Sequence, residues 1–421
     1  MDFSFSTAGA LIGLIIAIIL IVLKFQSTYS LIIGAFIGGI VGGGGLTNTV
    51  SAMISGSESM TNTILRILTS GILAGSLVKT GAAEKIADTI IRKLGEKRAI
   101  LSIAISTLII CAVGVFIDIS VITIAPIALE IAHKLKINKS SVLISMIGGG
   151  KAGNIISPNP NTIATASAFN IELTDLTTRN IIPAIVALIV TVIIALSLSK
   201  KNGDSVLETD LEKAETKELP LFAKSIIGPI CVIVLLALRP LFDINVDPLI
   251  ALPVGGFVTT IVTGNIKNTK ENFTYGFSKV IGVCALLIGT GTIAGIIKSS
   301  YLQQDMLNLI DAMNVPAFIL APLSGFLMAA ATASTTAGAT VASETFAATL
   351  IAKHINPISA GAMLHSSATI VDSLPHGSFF HATAGSVNLD ISKRLKLIPY
   401  EALIGLSSTI ASVLVYIFVY A

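Results

Sequence analysis

Hydrophobic residues come in long blocks separated by short polar ones, and the length of each block predicts its element. About 20 apolar residues in a helix cross roughly 30 Å of hydrocarbon. Ten stretches meet that length: 7–24, 29–47, 62–80, 140–167, 180–199, 222–240, 247–265, 277–298, 356–385 and 399–420. Two more, 99–135 and 315–352, are too long for one helix and are interrupted midway, at GVFIDIS (114–120) and TASTTAGA (332–339). Two of the ten are also interrupted, at SPNPN (157–161) and SLPHG (373–377). The pattern predicts an all-α polytopic membrane protein.

Lysine and arginine decide which way the blocks face. Loops with Lys85, Arg92, Lys93, Lys97 and Arg98, with Lys134, Lys136 and Lys139, with Lys200 and Lys201, with Lys267 and Lys270, and with Lys393, Arg394 and Lys396 are basic. Segments 46–61 and 241–246 hold no lysine or arginine. Basic loops face the cytoplasm. Stretch 99–135 then has a cytoplasmic loop at each end, which an odd number of crossings cannot connect. It is predicted to enter and return as a re-entrant hairpin, with 315–352 as its counterpart from the opposite side. Both termini are expected outside, and the polar segment 199–221 is expected to be a cytoplasmic linker.

That linker divides a repeated sequence. TSGILAGSLVK (69–79) resembles GTGTIAGIIK (289–298), and KINKSSVLISMIGGGKAGNIISPNPN (136–161) parallels HINPISAGAMLHSSATIVDSLPHGS (354–378). Each half, 1–198 and 222–421, reads as three spans, a hairpin (99–135 or 315–352), a broken span (140–167 or 356–385) and a last span. Five crossings per half insert the second copy upside down. Two inverted repeats whose broken helices meet at the midplane are the architecture of secondary transporters.

Composition narrows the class. Of 421 residues, 53% are hydrophobic and only 12% charged, about half the charged fraction usual for soluble domains. A net charge of +3 spread over short loops makes no nucleic-acid surface. Cys111, Cys231 and Cys284 each sit in an apolar run, without the pairing that disulfides or metal sites need. The N-terminal block has no basic n-region and no Ala-x-Ala site, so it is read as a first span rather than a signal peptide.

The four interruptions carry the candidate chemistry. Non-helical backbone at membrane depth leaves peptide groups unpaired unless they line a cavity or bind something. Pro158, Pro160 and Pro375 force the breaks. Ser157, Asn159, Asn161 and Thr162 fill one break; Ser373, His376 and Ser378 fill the other. Ser120 lies at the first hairpin tip, and Ser334, Thr335 and Thr336 at the second. Broken helices turn their positive N-terminal ends toward such a site, which suits a carboxylate. Asp118 and Asp372 are carboxylates inside the membrane, whose default reading is functional, here proton or ion coupling. Histidine is a side chain that can take up or release a proton, and His376 is read both as a substrate contact and as a coupling group. The repeat sets Asn159 and His376 at equivalent points of the two breaks, where each is expected to donate one hydrogen bond to the carboxylate. Glu130 and Glu344, farther along the hairpins, are read as structural partners.

Other signals lack their context. GTGTIA (289–294) fits a dinucleotide loop only if a strand precedes it, and GGGG (42–45) is followed by no Lys-Ser/Thr. Gly71, Gly75, Gly291 and Gly295 are read instead as close helix contacts. His365, His376 and His381 have poor zinc spacing, so neither metal nor cofactor is expected, nor enzyme activity. With no ATPase motif, transport is expected to run on a gradient.

At these same residues the sequence resembles the gluconate permease (GntP-type) family of the ion-transporter superfamily. GVFIDISVITIAPIALEIAHKL (114–135) is similar to that family's Phe-Asp hairpin, and GNIISPNPNTIATASAFNIELTDL (153–176) to its proline break and acidic turn. GATVASETF (338–346) and VDS (371–373) resemble its second-half elements. The resemblance implies proton-coupled symport of a gluconate-like or other small hydroxy or carboxylic acid. It also implies a homodimer in a bacterial cytoplasmic membrane, with a transport domain that moves against a scaffold. Asn159 and Gly153 stand where gluconate-type members carry histidine, and PHGSFFH (375–381) replaces the usual stretch. These departures broaden the expected cargo to smaller acids and leave a sodium-coupled relative or a sodium/proton antiporter as alternatives.

Overall fold

A computed structural model describes residues 3–95, 98–201, 203–211, 218–244, 246–313 and 316–420. The described residues form helices and two isolated bridges, Phe5–Ser300 and Asn138–Ser205, with no β-strand among them. The first half runs α1 (Thr7–Val22), α2 (Ser27–Val41), α3 (Gly45–Glu58), α4 (Thr61–Lys79), α5 (Ala82–Leu94), α6 (Ala99–Ala112), α7 (Ile117–Leu135), α8 (Lys139–Asn154), α9 (Pro160–Ala168), α10 (Leu173–Arg179) and α11 (Ile181–Ser199). The second runs α12 (Phe222–Phe242), α13 (Pro248–Val262), α14 (Thr269–Lys298), α15 (Leu302–Met313), α16 (Leu320–Thr332), α17 (Thr335–Ala352), α18 (Pro357–Ser367), α19 (Ser378–Ser386), α20 (Ile391–Leu395) and α21 (Ile398–Val415).

By length and composition, Thr61–Lys79, Ile181–Ser199, Phe222–Arg239, Ile266–Lys298 and Ile391–Tyr420 can each cross a membrane. Helices α1, α2 and α13 are apolar but shorter, so several spans are less regular than their apolar stretches predict. Two segments read as polar loops are helical. In α3 the buried residues are Thr49, Ala52 and Gly56, and in α5 they are Ala82, Ala83, Ile86, Ala87, Asp88 and Ile91. Those spacings are the stripe of an amphipathic helix packed on a larger body. A reading by block hydrophobicity passes over them.

The interruptions are also placed differently. The first hairpin, α6–α7, turns at 113–116, where Gly114 has φ +108°, and Asp118 falls in the first turn of α7. The second hairpin turns on Ala333 and Ser334 alone, because the Ser334 side chain accepts a hydrogen bond from the Ala337 N–H and restarts the helix at Thr335. The first break spans 155–159. Pro160 starts α9, as suits a residue without an N–H, and Asn159 caps it by accepting from the Thr162 N–H at 3.1 Å. The second break is wider, 368–377.

A local turn recurs before both broken helices. Lys136 (φ +55°) and His354 (φ +58°) turn the chain in the left-handed region, and two residues later an asparagine caps the next helix. Asn138 accepts from the Ser141 N–H at 2.8 Å, and Asn356 from the Ser359 N–H at 3.0 Å. Packing pairs recur as well: α1 lies on α2 as α12 lies on α13, α6 on α8 as α16 on α18, and α8 on α11 as α18 on α21. The halves interlock, with α13 against α4, α2 against α14, and α4 against α14. A Cβ on Gly75 would lie 2.3 Å from the Asn272 carbonyl, and one on Gly295 2.0 Å from that of Ala52. Glycine therefore sets how closely α4 and α3 approach α14.

Residues 202 and 212–217 of the expected linker lie outside the described residues. Its described part is strapped to the base of α8. The Lys139 N–H donates to the Asp204 carbonyl at 2.8 Å, and Lys139 Nζ donates to Asp210 Oδ1 at 2.7 Å and to the Asn388 carbonyl at 3.1 Å.

Candidate functional site

Both hairpin tips, the second helix break and the helix ends that flank the first break contribute to one cavity of about 310 Å³, at the small end of the range for ligand pockets. Its wall is drawn from the first turns of four helices: Phe116–Ile119 of α7, Asn161 of α9, Ser334–Thr336 of α17, and Ser378 and Phe379 of α19. Asn154, Asp372 and one side of α14, including Lys279, complete it.

The polar groups in and behind this wall are cross-linked. Asn154 Oδ1 accepts from Asn159 Nδ2 at 2.6 Å and from Asn161 Nδ2 at 3.0 Å. Asn161 Oδ1 in turn accepts from Thr336 Oγ1, which ties the second hairpin tip to the first break. Thr335 Oγ1 donates to Asp372 Oδ2 at 2.6 Å and ties the same tip to the second break. Lys151 of α8 donates through Nζ to Asp372 Oδ1 at 2.6 Å and to the Thr369 carbonyl, which ties the two breaks together. Two buried donors at the first break, Asn154 Nδ2 at the end of α8 and Ser157 Oγ within the break, have no partner.

The expected site residues therefore separate into two groups. Asp118, Asn161, Ser334, Thr335, Thr336, Asp372 and Ser378 line the cavity. The others lie behind its wall. Ser120 is buried and bonds back to the Phe116 carbonyl at 2.9 Å. Asn159 and Thr162 bond each other across the cap of α9, and Ser157 is fully buried. Ser373 Oγ donates to Asp372 Oδ1 at 3.1 Å. His376 Nε2 donates to the Ala331 carbonyl at 3.2 Å, which braces the second hairpin, and neither Asn159 nor His376 is part of the cavity wall. Glu130 pairs with Lys134 at 2.6 Å, and Glu344 with Lys298 at 3.4 Å.

Lys151 and Lys279 escaped the reading of the sequence. Each is a cation inside an otherwise apolar block, and that is a signal, because a charge at membrane depth persists only with a partner or a water-filled space. Among the described residues no group of three or more His, Cys, Asp or Glu is placed to hold a metal ion.

Comparison with known proteins completes the picture. The family profile described as GntP family permease matches residues 6–419. The chain belongs to the GntP permease family. This permease is 48% identical over 411 residues to an uncharacterised transporter of Haemophilus influenzae, a match covering 98% of each chain. It is 22% identical over 353 residues to the D-serine transporter DsdX of Escherichia coli K12, covering 77% of this chain and 79% of the relative. It is also 22% identical over 355 residues to the high-affinity gluconate transporter of the same strain, covering 78% of each. In fold it is similar to the YdaH transporter of Alcanivorax borkumensis, with a TM-score of 0.67 at 14% identity over 89% of this chain and 90% of that one. The protein is a multi-pass membrane permease and not an enzyme.

Proposed function

We propose that this GntP permease is a secondary carrier that moves a small hydroxycarboxylate anion together with a proton. One observation carries the reading: four helix N-termini converge on a single cavity. Each contributes roughly half a positive charge, so the four together present about +2. The Lys151–Asp372 pair is neutral as a whole, which leaves Lys279 and Asp118 to set the balance: about +3 with Asp118 protonated and about +2 with it ionised. Either way the site favours an anion. Asp118 is the coupling carboxylate in this reading, because Asp372 is already held by an ammonium and two hydroxyls. The Asn154 amide and the hydroxyls of Ser334, Thr336 and Ser378 serve the cargo's carboxylate and hydroxyl groups. Gluconate and D-serine, named for two relatives, share a carboxylate with a hydroxyl nearby.

The recurring asparagine-capped turns and packing pairs support reading 1–198 and 222–421 as inverted repeats joined by a cytoplasmic linker. The hairpins and broken helices are then the moving part. Helices α1, α2, α12 and α13 line no part of the cavity and expose apolar side chains, which fits a scaffold and a homodimer contact. The bacterial cytoplasmic membrane, with both termini outside, is the matching location.

Proteoliposomes supplied with labelled gluconate, glycerate, lactate and D-serine, with and without an inward proton gradient, test the proposal. Uptake of at least one acid should rise with the gradient, and Asp118→Asn should abolish that rise while keeping exchange. No counterflow of any acid, together with sodium-driven proton movement, would replace the symporter with an antiporter.

A further inference from the structure

The Lys151 side chain is 1% exposed, and its ammonium is paired with an equally buried carboxylate. It comes from α8, 221 residues from its partner in the chain, and meets only oxygen: Asp372 Oδ1 at 2.6 Å and the Thr369 carbonyl. The hydroxyls of Ser373 and Thr335 stand on the same carboxylate, at 3.1 and 2.6 Å. A carboxylate and a backbone carbonyl are oxygen ligands of the kind a hard cation takes, and unwound carbonyls at a broken helix are where carriers coordinate coupling ions. A second cation there would sit within about 3 Å of the ammonium in a low-dielectric setting, which like charges do not tolerate. Lys151 does not line the cavity. It positions Asp372, and through Asp372 the Thr335 hairpin tip.

We propose that Lys151 is a tethered cation that permanently fills the coupling-ion position of the second break, so that this protein works without sodium. The proposal rests on reading the cavity as a carrier site, but its test needs no substrate. Methionine ends one atom short of the lysine ammonium, so Lys151→Met keeps the stem and vacates only the position of Nζ. Full-length protein is melted in sodium chloride and in choline chloride at equal ionic strength, and binding of radioactive sodium is measured. Wild type should melt alike in both salts and bind no sodium at this site. Lys151→Met should melt several degrees lower in choline, recover saturably with sodium, and bind the ion. The double variant Lys151→Met/Asp372→Asn, with no charged vacancy, should again melt alike in both salts.

Sodium stabilisation of the wild type would overturn the proposal. So would a folded Lys151→Met that ignores sodium, or one recovered in neither salt while the double variant is recovered. These outcomes are separable from failure of acid uptake, which would remove the carrier reading and leave the sodium result standing.

Discussion

Between α8 and α9 the non-helical backbone is held by neutral amides, whereas between α18 and α19 it is held by a lysine–carboxylate pair drawn from both halves of the chain. Both segments have the same problem, non-helical peptide groups at membrane depth. The amide solution leaves capacity over: Asn154 Nδ2 and Ser157 Oγ are buried without partners, and Asn154 faces the cavity. The ionic solution leaves no donor over: both oxygens of Asp372 already accept hydrogen bonds, and an ionised carboxylate has none to give. A group with unused donors is equipped to take a ligand, and an occupied carboxylate to brace. In the proposed carrier, the first break thus offers donors to the cargo, while the second, through Asp372, braces the Thr335 hairpin tip.

The largest expected effect tests the brace. Asp372→Ala leaves the Lys151 ammonium buried and unpaired, which typically costs about 3–5 kcal/mol. Thermal melting of the purified protein should show that loss, and a melting point equal to wild type would mean the pair is dispensable. Next comes the first break. Asn154→Asp keeps the acceptor used by Asn159 and Asn161 but removes the free donor. Losing a hydrogen bond to a charged acceptor is worth about 1.5–3 kcal/mol, or about 10- to 150-fold in half-saturation at 1.4 kcal/mol per decade, and the added negative charge pushes the same way. Unchanged transport kinetics would take the cargo away from the first break.

A smaller effect separates cap from ligand. Asn159→Ala should cost about 0.5–2 kcal/mol of stability as a lost N-cap while leaving half-saturation nearly unchanged. A rise as large as that of Asn154→Asp would return Asn159 to the substrate, as its place in the repeat predicts. His376→Ala should lose one ordinary hydrogen bond, about 0.5–1.5 kcal/mol, and leave the pH profile of uptake intact. A shifted profile would restore His376 as a coupling group.

The smallest effect concerns the far end of α8. Burial pushes the Asp210 carboxyl up, but the Lys139 ammonium and the Leu207 N–H outweigh it and hold the group below its ordinary value. A depressed acid adds stability that is present above its unfolded value, near 3.9, and is lost as pH falls through the lower folded one. Stability should therefore drop on acidification below about pH 4, and Asp210→Asn should make the melting curve less acid-sensitive there. An identical acid profile in the two proteins would show that the strap contributes nothing.

Much of the fold was legible because its signals are local. Pro160 and the capping Asn159 mark the restart of a helix within four residues, and the Asn138 and Asn356 turns repeat the same short code. Helices α3 and α5 were missed because their apolar stripes are narrow and their average composition is polar. Of the candidate site, Asp118, Asn161 and Asp372 were recognisable as polar groups in apolar surroundings. Lys151 and Lys279 were equally visible by that criterion but read as part of their spans.

Block length, charge and proline placement act within a few residues of one another, so the chain alone reveals a helical membrane protein with four interruptions. Which polar groups face the cavity, and which are used up behind it, is settled by how the helices pack. Asp372 meets Lys151 across 221 residues and Thr335 across 37, and Asn161 meets Thr336 across 175. A buried donor or acceptor must find a partner wherever the packed helices bring one near, and no periodicity along the chain records which one that is.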